Sequence, residues 1–145
     1  MAKTFPFEVH TPYRLFYSAA VEAVVITLAD GEIGIYADHS FFTAPVITGI
    51  VKIREKDGRW FSAFTTEGIL EVKSHKTVLM VDAAEWPREI DRERALAAKQ
   101  KAEEFLKTAM FKFETETARA TIRRAEYRLK VYGLEGNGKN PRQGI

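Results

Sequence analysis

The spacing of apolar residues changes near Pro87, and this change constrains the fold more than any other feature of the chain. Before Pro87, apolar residues alternate with other residues, as at Phe5, Phe7 and Val9. Alternation is typical of β-strands, whose successive side chains point to opposite faces. After Pro87, apolar residues recur every three or four positions, which is typical of amphipathic helices. The sequence therefore predicts a β domain over residues 1–87 with helices after it.

Turn signals divide the β domain into short strands. Residues 56–59 read Lys-Asp-Gly-Arg, and Asp-Gly suits a tight hairpin turn because Gly accepts a positive φ. Residues 73–76 predict a second turn. Short strands at this spacing favour an antiparallel sandwich or a flattened barrel, with the almost continuously apolar residues 21–28 as a central strand. Since Pro lacks the N–H that a central strand donates, Trp86-Pro87 is predicted to end the β region.

Two apolar stripes predict two helices. The first helix is expected to begin after Asp91, which suits an N-cap, and the second to end at Gly133 in a left-handed conformation. The stripes comprise Ala95, Ala98, Ala102, Phe105 and Ala109, and then Ala118, Ile122, Ala125, Leu129 and Tyr132. Residues 108–115 contain neither Gly nor Pro, so one continuous helix stays an open alternative. The sequence predicts an antiparallel helical hairpin over 88–133 and a flexible Gly-rich tail over 134–145.

The apolar stripe of the second helix contains few large side chains. Only Ile122, Leu129 and Tyr132 are large, and burying each contributes about 1.5–3 kcal/mol before conformational entropy is subtracted. The packed hairpin is therefore expected to be marginally stable and able to detach.

Composition excludes several classes of protein. With 46% hydrophobic and 29% charged residues over 145 positions, the chain is typical of one folded domain with a short appendage. It contains no cysteine, which excludes disulfides, Cys-ligated zinc, iron–sulfur clusters and cysteine nucleophiles. No apolar segment approaches the roughly 18 residues of a membrane span, and residues 1–6 do not resemble a secretory signal. A soluble intracellular polypeptide is expected.

Charge is distributed unevenly. Residues 1–87 carry 8 basic and 11 acidic side chains, a net charge of −3, whereas residues 88–145 carry 14 and 9, a net charge of +5. Four arginines of the second helix stand in pairs four positions apart, Arg119 with Arg123 and Arg124 with Arg128. Like charges at this spacing cost only about 0.2–0.5 kcal/mol, so a solvated face is one interpretation. The other is recognition of carboxylates on another subunit, or of a phosphate.

No catalytic constellation is evident. The chain lacks the Gly-rich phosphate loops and the His-Glu-x-x-His zinc motif, and its three histidines are scattered, so a metal site is not expected. Asp38-His39-Ser40 contains the residue types of a catalytic triad, but a triad is defined by geometry rather than by adjacency. We interpret the segment as a turn and keep a small hydrolase only as a minor alternative.

Four segments, in order, resemble the epsilon subunit of F-type ATP synthase, which is called delta in mitochondria. They are Gly31–Tyr36 followed by Asp38-His39, then Gly49–Arg54, then Gly68–Val72, and finally Ile90-Asp91-x-x-Arg94-Ala95. The sequence departs from the family pattern in three places. Asp38 replaces the usual Gly before His39, Thr66-Glu67 replaces two small residues, and the tail after Gly133 matches nothing in the family.

The resemblance implies a fold and a role. The fold is an N-terminal sandwich of about ten strands followed by a two-helix hairpin. The role is that of a non-catalytic rotor subunit whose sandwich binds the gamma subunit and the ring of c subunits. Its helices, when extended into the alpha/beta hexamer, inhibit ATP hydrolysis. The expected location is the cytoplasmic face of the bacterial inner membrane, as a peripheral part of the proton-translocating complex, with no nucleic-acid partner.

The resemblance also assigns residues. Glu32 and His39 match positions that face the c ring, and the arginines that would contact the beta subunit are Arg119, Arg123, Arg124 and Arg128. No cofactor is required, but some relatives bind ATP as a regulatory ligand on the folded hairpin. The matching positions here are Glu85, Ile90, Asp91, Arg94, Ala95, Arg124 and Arg128. Thr117 stands where such relatives can carry Arg, and N-capping alone explains Asp91. A stand-alone nucleotide-binding sensor is the alternative function.

Overall fold

The computed structural model describes residues 3–134, which form nine strands and two helices. The strands are β1 (Phe5–His10), β2 (Leu15–Leu28), β3 (Gly31–Tyr36), β4 (Phe42–Val46), β5 (Gly49–Glu55), β6 (Trp60–Thr65), β7 (Gly68–Val72), β8 (Thr77–Val81) and β9 (Ala84–Glu85). A 3-10 turn at Pro87–Glu89 leads to α1 (Arg92–Thr108) and α2 (Lys112–Tyr132). Of the tail predicted over 134–145, only Leu134 is described, so the rest of that prediction lies outside the described residues.

The strands form one continuous sheet that folds into a sandwich. Its order is β4-β7-β8-β1-β2-β5-β6-β9, with β3 also paired to β2. The long strand β2 pairs with β1 over its first half and with β3 and β5 over its second half. The prediction that residues 21–28 form a central strand is therefore confirmed, as are the two predicted turns at 56–59 and 73–76.

One pair of strands departs from the antiparallel prediction. β1 and β8 run parallel, with Phe7 opposite Thr77 and Val9 opposite Leu79. Strands joined by a short hairpin must be antiparallel, but these two are separated by most of the domain, so no turn fixes their relative direction. The nine strands among the described residues are close to the ten that the resemblance implies, and the sandwich followed by helices is confirmed.

The core of the sandwich lies between its layers. Alternate residues of β1, β2, β5, β7 and β8 meet there without solvent exposure, including Phe7, Val24, Ile53, Leu70 and Leu79. Trp86 closes one end of this cluster, with its ring stacked 4.4 Å from that of Phe16. All members of the cluster precede Pro87, so the sandwich has a core that does not depend on the helices.

The helices pack as an antiparallel hairpin. Asp91 caps α1, with Oδ1 accepting from the backbone N–H of Arg94 at 3.1 Å, as predicted. The alternative of one continuous helix is wrong, because Ala109 and Phe111 are extended and break the helix without any Gly or Pro. The prediction for Gly133 is half right. It ends α2, but its backbone is right-handed, with a φ of −67°, and its N–H continues the helical pattern by donating to the Leu129 carbonyl.

Small residues dominate the interface between α1 and α2. The buried residues facing the partner helix are Ala95, Ala102, Ala118 and Ala125. Alanines let two helices approach closely, but each buries little apolar area and so contributes little to stability. Neither helix is long and apolar enough to cross a bilayer, a finding that covers residues 3–134.

Candidate functional site: the cleft between the helical hairpin and the sandwich

The hairpin docks on the sandwich through a small apolar cluster. Ile50 of β5 and Phe64 of β6 meet Ile90 and Val131, with Tyr127 packed against them. The apolar stripe missed Val131, which is fully buried. Val131 lies seven residues after Arg124 and three after Arg128, so it shares a face of α2 with both arginines. This spacing is the sequence signal that could have identified it.

Two ion pairs flank this cluster. The Arg124 Nη2 atom lies 2.8 Å from Glu67 Oε1, and the Arg128 Nε atom lies 2.8 Å from Glu85 Oε1. The Arg128 guanidinium also lies over the Phe64 ring, 4.6 Å from its centre. Because Glu67 and Glu85 belong to the sandwich, both pairs hold α2 against it. Charge pairs between half-exposed groups are individually weak, so they adjust the docking rather than dominate it.

A cleft of about 410 Å³ lies beside these contacts. Its volume falls in the usual range for small-molecule sites. The lining residues are Glu85, Glu89, Asp91, Arg94, Ala95, Ala98, Thr121, Arg124, Ala125 and Arg128. Three carboxylates and three guanidiniums therefore line one cavity. The alanines have small side chains, which leaves space for this cavity between the helices. Arginine forks suit phosphate oxygens, so the cleft has the chemistry of an anion site that is partly neutralised by its own carboxylates.

The structure brings together six of the seven residues proposed from sequence for ATP. Ile90 is the exception, because it lies in the apolar cluster beneath the cleft and does not line it. Sequence reasoning missed Glu89 and Thr121, which do line it. Glu89 accepts from the backbone N–H of Trp86 and from the Arg14 side chain, both at 2.9 Å. It is therefore a fixed wall of the cleft.

The four arginines proposed for the beta subunit fall into two groups. Arg119 and Arg123 are exposed, and no ion pair is found for them within residues 3–134. Arg124 and Arg128 are half-buried and paired with the sandwich. The folded hairpin thus presents the first pair to solvent and keeps the second pair against its own sandwich.

Glu32 lies near the start of β3, and His39 lies in the segment between β3 and β4. Glu32 is exposed, and its Oε2 atom lies 3.8 Å from Lys52 Nζ. His39 Nδ1 lies 2.9 Å from the Ser40 carbonyl oxygen, and its ring packs 5.1 Å from that of Phe42. Both positions are accessible from outside the sandwich.

The backbone conformation at Asp38 explains why the family has Gly at this position and why Asp can replace it. Its φ is +64°, a left-handed conformation that Gly adopts without cost and that Asp tolerates better than most residues. Its carboxylate lies 2.9 Å from Lys3 Nζ, and this hydrogen bond raises the pKa of Lys3. Since Asp38 bonds Lys3 and His39 bonds a carbonyl, Asp38-His39-Ser40 does not form a catalytic triad. No group of three potential metal ligands occurs among residues 3–134.

Comparison with known proteins identifies the family. A family model described as the beta-sandwich domain of the ATP synthase Delta/Epsilon chain matches residues 4–87, and one described as its long alpha-helix domain matches residues 88–133. The chain belongs to the ATP synthase delta/epsilon family. Members of this family are accessory subunits of ATP synthase, so the chain is not a catalyst by itself. The minor alternative of a small hydrolase has no support.

Curated relatives agree along nearly the full chain. The ATP synthase epsilon chain of Caldanaerobacter subterraneus subsp. tengcongensis is 46% identical over 132 residues, covering 90% of this chain and 95% of that protein. The ATP synthase epsilon chain of Caldicellulosiruptor bescii is 45% identical over 127 residues, covering 88% and 92%. These relatives support the same family over both the sandwich and the helices.

Solved structures show the same fold at low identity. A chain of the Euglena gracilis mitochondrial ATP synthase superposes with a TM-score of 0.77 at 17% identity, covering 90% of this chain and 81% of that one. A chain of the Tetrahymena thermophila mitochondrial ATP synthase, in a structure of its central stalk and c ring, gives a TM-score of 0.59 at 16% identity, covering 91% and 99%.

Proposed function

We propose that this chain is a central-stalk subunit that links the gamma subunit to the c ring through its sandwich and inhibits ATP hydrolysis through its helices. The main support for this proposal is a row of exposed apolar residues on the outer face of the sheet. Ile69 of β7 and Met80 of β8 are cross-strand partners and are 47% and 39% exposed, while their neighbours Leu70 and Leu79 point into the core. Exposed neighbouring apolar side chains favour a protein partner.

The row extends across neighbouring strands. Pro45 of β4 pairs with Ile69 on one side of the row, and on the other side Met80 pairs with His10 of β1, a polar residue that interrupts the row. Leu15, which pairs with His10 at the start of β2, is 55% exposed. This face lies on β4, β7, β8 and β1, whereas the hairpin docks on β5 and β6. A shaft-like partner can therefore bind the sandwich while the hairpin is folded, and Glu32 and His39 are assigned to the c ring.

The inhibitory role rests on how weakly the hairpin is held. Among residues 3–134, the apolar cluster that joins it to the sandwich has four buried members, and the interface between its helices is built largely of alanine. Release of the hairpin would free Arg124 and Arg128 from the sandwich carboxylates. Together with Arg119 and Arg123 they would then meet acidic residues of the beta subunit, where partly desolvated Arg–carboxylate pairs are stronger than surface pairs.

Truncation after Arg88 tests this role in the assembled ATP synthase. The sandwich keeps its core because every residue of the main cluster precedes Pro87, so the truncated subunit is expected to assemble. The complex should then hydrolyse ATP faster than the intact one, as measured by phosphate release.

The substitution Ile69→Glu in the full-length subunit tests binding to the gamma subunit. This variant should fail to recover the gamma subunit in a pull-down. An unchanged hydrolysis rate contradicts inhibition, and normal recovery with Ile69→Glu contradicts the docking face.

The cleft supports a second role, the binding of ATP by the folded hairpin. Arg94 lines the cleft and has no ion pair among residues 3–134, so it is available to a phosphate. A nucleotide at 100 times its dissociation constant would stabilise the folded form by about 2.7 kcal/mol, enough to shift a weakly held hairpin. The subunit would then respond to cellular ATP from within the complex, at the cytoplasmic face of the bacterial inner membrane. A stand-alone sensor would fail to co-purify with gamma or c subunits.

Arg94→Gln should weaken ATP binding to the isolated subunit by about tenfold or more, because a charge-assisted contact to phosphate is lost. Arg92→Gln is the matched control, since Arg92 is exposed near the start of the same helix, pairs with Glu93 and does not line the cleft. Calorimetric titration or amide shifts of α1 and α2 report binding. Unchanged spectra of the wild type at millimolar ATP, or equal losses for the two variants, would contradict the site.

A further inference from the structure

We propose that Glu67 is an internal competitor of the nucleotide's phosphate groups for Arg124 and so sets the affinity of the cleft. The proposal rests on the proposed nucleotide site and adds its regulation. Glu67 follows β6 in the turn to β7, outside the cleft lining, and holds Arg124 by the 2.8 Å contact between Oε1 and Nη2. Arg124 lines the cleft, so one guanidinium serves both the sandwich carboxylate and the cavity.

The two arginines of α2 that line the cleft, Arg124 and Arg128, differ in this respect. The partner of Arg128 is Glu85, which itself lines the cleft, and Arg128 is fixed further by its contact with the Phe64 ring. Within residues 3–134 no ring contact of this kind is found for Arg124, and its partner Glu67 has a side chain that is 60% exposed. A phosphate can therefore draw Arg124 away from Glu67 at low cost, whereas Arg128 stays in place.

Charge balance determines the sign of the effect. The three arginines and three carboxylates of the cleft cancel, and Glu67 adds one negative charge beside Arg124. A triphosphate carries several negative charges, so a carboxylate on the same guanidinium both repels it and occupies its donor. The ion pair between Glu67 and Arg124 is present in the folded hairpin without nucleotide and is broken when nucleotide binds. Glu67 thus stabilises the empty folded form and lowers nucleotide affinity, which shifts the response to higher ATP concentrations.

The substitution Glu67→Gln tests this directly in the full chain. Without its charge, the empty closed form loses stability while the nucleotide-bound form does not, so the dissociation constant for ATP should fall by about two- to fivefold, the range expected for an exposed ion pair. Glu71→Gln is the matched control on β7, because Glu71 pairs only loosely with Lys73, at 3.9 Å, and lies outside the cleft lining. It should leave the constant unchanged.

A second measurement follows the hairpin without nucleotide. The chain has no native cysteine, so spin labels can be attached at Asp82→Cys and Thr117→Cys, both exposed positions outside the cleft lining. Glu67→Gln should increase the long-distance population relative to the wild type, and saturating ATP should remove the difference. Glu71→Gln should match the wild type in both conditions.

The outcomes separate the two proposals. If the wild type binds no ATP at millimolar concentration, the nucleotide site is rejected, and the competitor role falls with it. If the wild type binds ATP but Glu67→Gln binds it equally or more weakly, only the competitor role is overturned. Weaker binding would make Glu67 a positioning residue for Arg124. Identical label distances in Glu67→Gln and the wild type also overturn the inference.

Discussion

Replacing Trp86 by alanine should lower the free energy of unfolding by about 3–5 kcal/mol, the range for removing a large buried aromatic side chain. Trp86 is 3% exposed, stacks on Phe16 and meets the edge of Tyr17 at 6.0 Å. It joins the main core at the point where the chain leaves the sandwich for the helices. Its loss should therefore destabilise the sandwich itself, as measured by urea unfolding followed by circular dichroism.

The other tryptophan provides the control. Trp60 is 44% exposed at the start of β6, and the Arg54 guanidinium lies 5.4 Å from the centre of its ring. Trp60→Ala should cost about 1 kcal/mol or less, since an exposed cation–π contact contributes about 0.5–1 kcal/mol. Comparable losses for the two variants would show that Trp86 does not have the structural role assigned to it.

Gly68→Ala should destabilise the sandwich by about 3 kcal/mol, at the upper end of the cost of overpacking. A Cβ atom at this position would lie 1.9 Å from the Met80 carbonyl oxygen and 2.9 Å from Val81 Cα. These are backbone atoms of the paired strand β8, so no side-chain rotation can relieve the clash. Thermal and urea unfolding of the full chain would measure the loss.

Gly34→Ala is the matched control within another strand. Its new Cβ atom would approach the Tyr36 ring at 3.3 Å, but that side chain is exposed and can move by a few tenths of an ångström. The expected change is within about 0.5 kcal/mol, as for most surface substitutions. A Gly68→Ala variant as stable as Gly34→Ala would mean that β7 and β8 can separate more easily than their pairing suggests.

The strands and helices were predictable because their signals are local. Alternation at Phe5, Phe7 and Val9, the Asp-Gly turn and the Asp91 N-cap each depend on a few neighbouring residues, and each is found as predicted. The parallel pairing of β1 with β8 depends on residues seventy positions apart, such as Phe7 and Thr77. No local spacing specifies it, because many strand orders bury the same alternating face.

The candidate site was predicted only in outline. The resemblance indicated Glu85, Asp91, Arg94, Arg124 and Arg128, and the structure gathers them around one cleft. It could not indicate that Glu67, a departure from the family pattern, lies within 2.8 Å of Arg124. Nor could it place Ile90 beneath the cleft, since an apolar residue beside an N-cap looks the same whether it lines a cavity or a core.

By itself, the sequence determined the order of the elements, the change from sheet to helix at Pro87 and the family to which the chain belongs. These follow from the period of apolar residues and from short motifs, which are properties of adjacent positions. Only the tertiary structure decided the parallel strand pair, the docking of Val131 and the assignment of Glu67 and Glu85 to Arg124 and Arg128. Charge pairing acts through space over a few ångströms, and distance along the chain does not reveal which carboxylate each arginine reaches.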